Sequence, residues 1–196
     1  MPLNRDNLPT RRDEAWKWTD VRAGVAADAA GLSAAGLPKF TLPDGVKVSE
    51  VADDELRTDT PMAGLARSFG GKVWLVTVPD GFEAQTPLLI EGLGRGHIRL
   101  RLELGKGAKL SVTEHHAADA GAFVNIDQTI VLKDGAELNR VIMHNDPDDA
   151  VRVATTHITA WGQAKITQHA LSFGGALSRL ETRLAAMGTQ VFLITA

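Results

Sequence analysis

KDGAELNRV, residues 133–141, joins a tight turn at Gly135 to a strand-like run. The form recurs. GKGAKLSV at 105–112, AWGQAKITQ at 160–168 and AMGTQVFLI at 186–194 each place a glycine, then one or two small or polar residues, then a strand-like stretch. The glycines are Gly107, Gly135, Gly162 and Gly188, spaced 28, 27 and 26 residues apart. An alternating run precedes each of them. A single unit of this kind cannot bury its apolar face, so its repetition predicts a β-solenoid whose stacked coils share one core. A β-sandwich also gives short strands at regular spacing. The steady glycine period favours the solenoid.

The neighbouring sequence supports strands. HIRLRLEL, residues 97–104, alternates strictly, with Ile98, Leu100, Leu102 and Leu104 on one face and Arg99, Arg101 and Glu103 on the other. Strand-like runs continue through FVNIDQTIVL, AELNRVIMH, AVRVATTHITA, AKITQHALSF, LSRLETRL and TQVFLIT, with no long helix among them. Upstream the character is mixed. Thr10 is placed to cap a short helix carrying Asp13 and Glu14. Trp16 and Trp18 cannot share one helical face, so one is expected to pack inward. An Ala/Gly-rich stretch to Pro38 reads as a broken helix or loop. TLPDGVKVSEV reads as a turn and a strand, and DDELRTDTPMAGLARSF as a helix with Pro61 in its first turn and Gly70-Gly71 as its stop. KVWLVTVPDG and TPLLIEGLG read as strands. The expected organisation is a helical and mixed α/β region over 1–96 and a β-helix core over 97–196, incomplete at its C-terminus.

Composition narrows the function classes. The 196 residues suffice for one domain with a sizeable core. A net charge of −3 and the lack of a sustained basic stripe argue against nucleic acid as a partner. No apolar run has membrane-spanning length, and the N-terminus lacks the apolar core of a signal peptide, so a cytoplasmic protein is expected. The chain has no cysteine, which removes disulfides, thiolate metal sites and a cysteine nucleophile.

The densest ligand-type cluster is Thr113-Glu114-His115-His116, with Asp119 nearby. On a strand, Glu114 and His116 share a face and His115 takes the other. A zinc site needs three or four converging ligands, so solvent-facing polar residues are the better reading. His144, Asn145 and Asp146, before Pro147-Asp148-Asp149, read as a polar turn between coils. His157 and His169 read as exposed strand residues, although stacking could align them with His144 or His115 in a ladder. GLGRGH, 92–97, runs into a strand rather than a helix, and no Walker Lys-Ser/Thr follows, so this chain is not itself an ATPase. Asp146, Asp148 and Asp149 share one turn and do not form the opposed carboxylates of a carbohydrate-active β-helix enzyme. No catalytic, cofactor-binding or metal-ligating residue is assigned.

LPTRRDEAWKWTDV resembles the opening motif of the SufD family of Suf iron–sulfur cluster assembly proteins, through Pro9, Thr10, Arg11, Glu14, Trp16, Lys17, Trp18 and Thr19. LSFGGALSRLETRL resembles a Gly-Gly-x-x-Ser-Arg stretch of SufD and its paralogue SufB, on Gly174, Gly175, Ser178 and Arg179. The resemblance covers essentially the whole chain, which is similar to the N-terminal half of the longer family members. It implies a short helical region leading into a right-handed parallel β-helix. It also implies a scaffold role beside a SufB-like subunit and a SufC-like ATPase, with the Fe–S cluster and ATP handled by the complex. The family's ATPase contact, SufB pairing surface and functional histidine correspond to no position here.

Two function classes follow: a non-catalytic scaffold subunit of Fe–S assembly, and, as the alternative, a polysaccharide lyase or hydrolase. The N-terminal motif favours the first. An unfinished last coil leaves an unpaired edge, which predicts self-association, including a homodimer, through residues 188–196. Light scattering checks this: the isolated chain should exceed monomer mass at high concentration, and a strict monomer overturns it.

Overall fold

The structure, a computed structural model, describes residues 8–26, 31–52, 60–91 and 94–188, and the backbone of 192–195. Two six-stranded sheets face each other across a common core. One holds β1 (Lys39–Thr41), β4 (Leu88–Glu91), β6 (Lys109–His116), β8 (Glu137–Asp146), β10 (Lys165–Gly174) and β12 (Phe192–Thr195). The other holds β2 (Lys47–Val51), β3 (Val73–Val78), β5 (Gly96–Leu104), β7 (Phe123–Leu132), β9 (Val151–Trp161) and β11 (Leu177–Met187). From β3 onward the chain crosses from one sheet to the other with each strand, and each strand from β3 to β10 pairs in parallel with the strand one coil later. The fold is the parallel β-solenoid expected from the glycine period, and its sheets reach upstream of residue 97 to take in β3 and β4.

Alternation decides what faces inward. Ile98, Leu102 and Leu104 of β5 stack on Ile126, Ile130 and Leu132 of β7, Leu100 lies beside Gln128, and these apolar residues share a core with Leu110, Val112 and Leu138 of the facing sheet. Coil length follows the strand register: Lys109 pairs with Glu137 and Glu137 with Lys165. The turn glycines answer to this stacking. Gly107, Gly135 and Gly162 adopt the left-handed conformation (φ 64°, 70° and 60°) that favours glycine. Gly188 does not, and is required for space instead: a Cβ there would stand 2.3 Å from the Gly162 carbonyl oxygen.

The two ends of the solenoid differ. β1 and β2 lie antiparallel to β4 and β3 and close the first coil. At the other end, β11 and β12 each have one neighbour among the described residues.

The N-terminal segment packs on the outward face of β7 and β9. Leu8, Trp16, Val21, Val25, Leu32 and Met62 form a second apolar cluster with Phe123, Val151 and Val153. The segment is more turn than helix. Asp13 Oδ2 accepts the Thr10 N–H at 2.8 Å, and this tight turn leads into a single 3-10 turn at Glu14–Trp16. The Thr10-capped helix expected from sequence therefore does not form. A short helix α1 (Val21–Gly24) follows, capped by Asp20 Oδ1 on Ala23 N–H at 2.9 Å. Helix α2 (Pro61–Phe69) has Pro61 in its first turn and Gly70 at its end, as the sequence predicts, with Thr60 Oγ1 accepting from Ala63 N–H. Residues 53–59 of that expected helix, 27–30 of the Ala/Gly-rich stretch, 92–93 of the glycine-rich run and 189–191 lie outside the described residues.

A buried histidine fastens this layer to the solenoid. His97, on the outward face of β5, places Nε2 2.9 Å from the Leu32 carbonyl and Nδ1 2.9 Å from Asn125 Nδ2. Asn125 Nδ2 also donates to the Met62 carbonyl at 2.8 Å. Nδ1 accepts from an amide, so the ring is neutral and Nε2 carries the proton.

The two tryptophans separate as expected: Trp16 is 3% exposed and Trp18 89%. Trp16→Ala is expected to cost about 3–5 kcal/mol, and Trp18→Ala less than about 0.5 kcal/mol. Urea unfolding followed by circular dichroism checks the contrast.

Candidate functional site

The solenoid interior is not apolar throughout. Several polar residues occupy the inward phase of the alternation: Glu114 and His116 on β6, Gln128 on β7, Arg140, His144 and Asp146 on β8, Arg152 and Thr156 on β9, and Gln168 on β10. All are buried. Glu114 and His116 do share a strand face, as predicted, and His115 takes the exposed one. That shared face is the core, which corrects the reading of both residues as solvent-facing. His144 and Asp146 are likewise inward residues of β8 rather than parts of a polar turn; the strand continues to Asp146 because it pairs in register with β10 as far as Gly174.

Arg140 organises the first polar layer. Its Nε and Nη2 donate to Glu114 Oε1 at 2.7 Å and Oε2 at 2.9 Å. Nη1 donates to Thr156 Oγ1 at 3.1 Å and Gln168 Oε1 at 2.8 Å, and the remaining Nη2 proton goes to Gln128 Oε1. Every N–H of the guanidinium is thereby used. Glu114 is equally saturated, accepting also from Gln128 Nε2 at 3.0 Å and from His116 Nε2 at 3.2 Å. Burial by itself would raise the Glu114 carboxyl; the Arg140 charge and the converging donors overcome it and hold the group well below the usual carboxylate range.

A second layer lies beside it. Asp146 accepts from Arg152 Nε at 2.7 Å and Nη2 at 2.5 Å, and from the Ala118 N–H at 2.9 Å. The His116 and His144 rings are register neighbours, with centroids 5.7 Å apart. Burial, reinforced by the Arg152 charge, pushes His144 down to about 3. His116 is lowered by burial against the opposing pull of Glu114, and His97 by burial.

The other candidates stay apart. Asp119 is exposed, 3.5 Å from Arg95. His157 faces outward on β9, between Thr129 and Arg183, and His169 is exposed on β10 beside Val141. The histidine ladder that forms is His116 on His144, not one through His157 or His169. Asp148 and Asp149 are exposed. Among the described residues no group of three or more His, Cys, Asp or Glu is arranged to hold a metal.

The two motif stretches meet in space. Arg179 lies over the Trp16 ring, 4.1 Å from its centroid, and donates to the Ala15 carbonyl at 2.9 Å, Thr19 Oγ1 at 3.2 Å and Glu181 Oε2 at 2.8 Å. Gly174, at φ 70°, lets the chain turn against the preceding coil, where a Cβ would stand 1.9 Å from the Asp146 carbonyl oxygen. The N-terminal motif is thus clasped onto β11. Sequence reasoning did not find Arg140, Arg152, Gln128 or Gln168. The available signal was phase: in Leu138-x-Arg140-x-Ile142 an arginine occupies an apolar beat.

Arg140→Met strands a buried carboxylate and is expected to cost about 3–5 kcal/mol. Adding Glu114→Gln should recover much of that loss, which a double-mutant cycle by urea denaturation measures. Acid should destabilise the fold early. His97, His116 and His144 stay neutral when folded, but take a proton near pH 6.5 when unfolded. The stability present above pH 6.5 is therefore lost as pH falls, by about 1.4 kcal/mol per unit for His144 and in the same direction for His97 and His116. For His144 the window runs from 6.5 down to about 3. The urea midpoint should drop between pH 7 and pH 5, and His144→Gln should lower the proton uptake on unfolding by about one.

Residues 93–193 match the family model described as SUF system FeS cluster assembly, SufBD core domain. No curated protein matches the chain. The matched span runs from the approach to β5 into β12 and contains both polar layers and Arg179, but not the N-terminal residues that Arg179 clasps. The chain belongs to the SufBD core family of SUF-system Fe–S cluster assembly proteins.

Proposed function

We propose that this chain acts in Fe–S cluster assembly as a non-catalytic scaffold subunit, pairing with a SufB-like paralogue and a SufC-like ATPase. The match of the SufBD core model over residues 93–193 carries the reading. The chemistry of the chain agrees with it. Without cysteine it has no thiolate to hold a cluster, so cluster ligation falls to a partner. Its buried carboxylates, Glu114 and Asp146, are each tied to an arginine and ionised. A carboxyl held this way is a poor general acid, which weighs against the polysaccharide lyase or hydrolase reading. We place the protein in the cytoplasm; among the described residues no helix is long and apolar enough to cross a membrane. The outer edges of β11 and β12, which have no strand neighbour among the described residues, are the surface we assign to pairing, with a homodimer as the simplest form of it.

Affinity capture of the tagged chain from lysate of its own organism, read by mass spectrometry, tests the proposal. Co-recovery of a SufB-like subunit with its ATPase is the expected result, and recovery of the chain alone overturns the pairing. The purified chain should leave acidic polysaccharides intact; their cleavage would restore the enzyme reading.

A further inference from the structure

The layer formed by His116, His144, Asp146 and Arg152 holds polar atoms that no group among the described residues satisfies. Arg152 spends Nε and Nη2 on Asp146, and its Nη1 has no hydrogen-bond partner among the described residues. His116 Nδ1 and His144 Nε2 are in the same position. All three side chains are at most 1% exposed. They belong to one level of the solenoid. His116 and His144 are stacked register partners, and Asp146 is the next inward residue after His144 on β8. Asp146 reaches across to hold Arg152, and also takes the N–H of Ala118, just beyond His116.

Chemistry narrows what belongs there. Arg152 does not give up its proton, so Nη1 presents donors only. His116 Nε2 faces a Glu114 oxygen and carries the ring proton, which leaves Nδ1 a bare acceptor. The occupant must therefore accept from a guanidinium and donate to an imidazole. The buried charges already balance, Arg140 against Glu114 and Arg152 against Asp146. An anion would add an uncompensated charge, and a metal cation would sit beside a fixed guanidinium. A small neutral molecule that both donates and accepts fits.

We infer that the solenoid interior binds structural water at this level, held by Arg152 Nη1, His116 Nδ1 and His144 Nε2. Internal waters in proteins satisfy such polar atoms, with about three hydrogen bonds each. The bound water extends the Glu114–His116 hydrogen bond toward Arg152 and His144. The next coil supplies a polar way out. Ser172 stacks on His144, Ser178 stacks on Arg152, their hydroxyls are 2.9 Å apart, and both residues are exposed. The inference rests on the geometry of the interior and not on the Fe–S assembly reading.

A high-resolution crystal structure of the chain tests it. Density for water should lie about 2.6–3.2 Å from Arg152 Nη1 and from at least one of the two ring nitrogens. A dry layer, an anion, or Arg152 Nη1 paired with a protein group overturns the inference. In solution, water-oxygen-17 relaxation dispersion counts long-lived internal waters. His144→Phe, confirmed as folded by circular dichroism, should lower that count by about one water. An unchanged count overturns the assignment.

Discussion

A coil of this solenoid cannot bury its inward side chains unless another coil lies on it in register. That constraint governs the rest of the structure. Parallel pairing of each strand with its counterpart one coil later sets Leu100 over Gln128, Gln128 over Thr156 and Thr156 over Thr182. A slip of one residue would turn every inward side chain of a strand outward. The apolar positions alone would resist such a slip. The buried ion pairs resist it more strongly, because a displaced Arg140 leaves Glu114 charged and unmatched inside the core.

This gives the polar interior a structural meaning that its energetics alone would not supply. A buried ion pair is seldom worth more than well-packed apolar residues of the same size. Its contribution is discrimination between registers. Arg140 contacts residues from strands on both sheets and from three successive coils, so its hydrogen bonds hold only when all of those strands are correctly placed. The Asp146–Arg152 pair fixes the turn between β8 and β9 one level along, and Asp146 ties it to the preceding coil through the Ala118 N–H. Neutral histidines next to these pairs tie the integrity of the interior to pH from the ordinary imidazole range downward.

The N-terminal segment adds a second kind of constraint. It covers the outward face of β7 and β9, and Arg179 of β11 clasps Trp16 from the side. One cation thereby joins the two stretches that carry the family resemblance, 164 residues apart at the Ala15 contact. Their shared role is to hold the first segment of the chain against the last coils. Trp18, left in solvent by the same arrangement, contributes nothing to that packing.

The solenoid was legible in the sequence because its causes are local. The glycine period, the strict alternation of HIRLRLEL and the proline and glycine bounding α2 all act within a few residues of where they stand. The split of Glu114 and His116 from His115 followed from strand geometry alone. Which side of the sheet was buried did not follow, nor did the partners waiting there. Glu114 meets Gln128 across half a coil and Arg140 across nearly a full one, separations of 14 and 26 residues fixed by turn lengths and stacking register. The sequence by itself determined that coils would form and that their faces would alternate. Only the tertiary structure decided that two acids, two arginines and two histidines would share the interior, because burial and pairing there depend on where neighbouring coils come to rest.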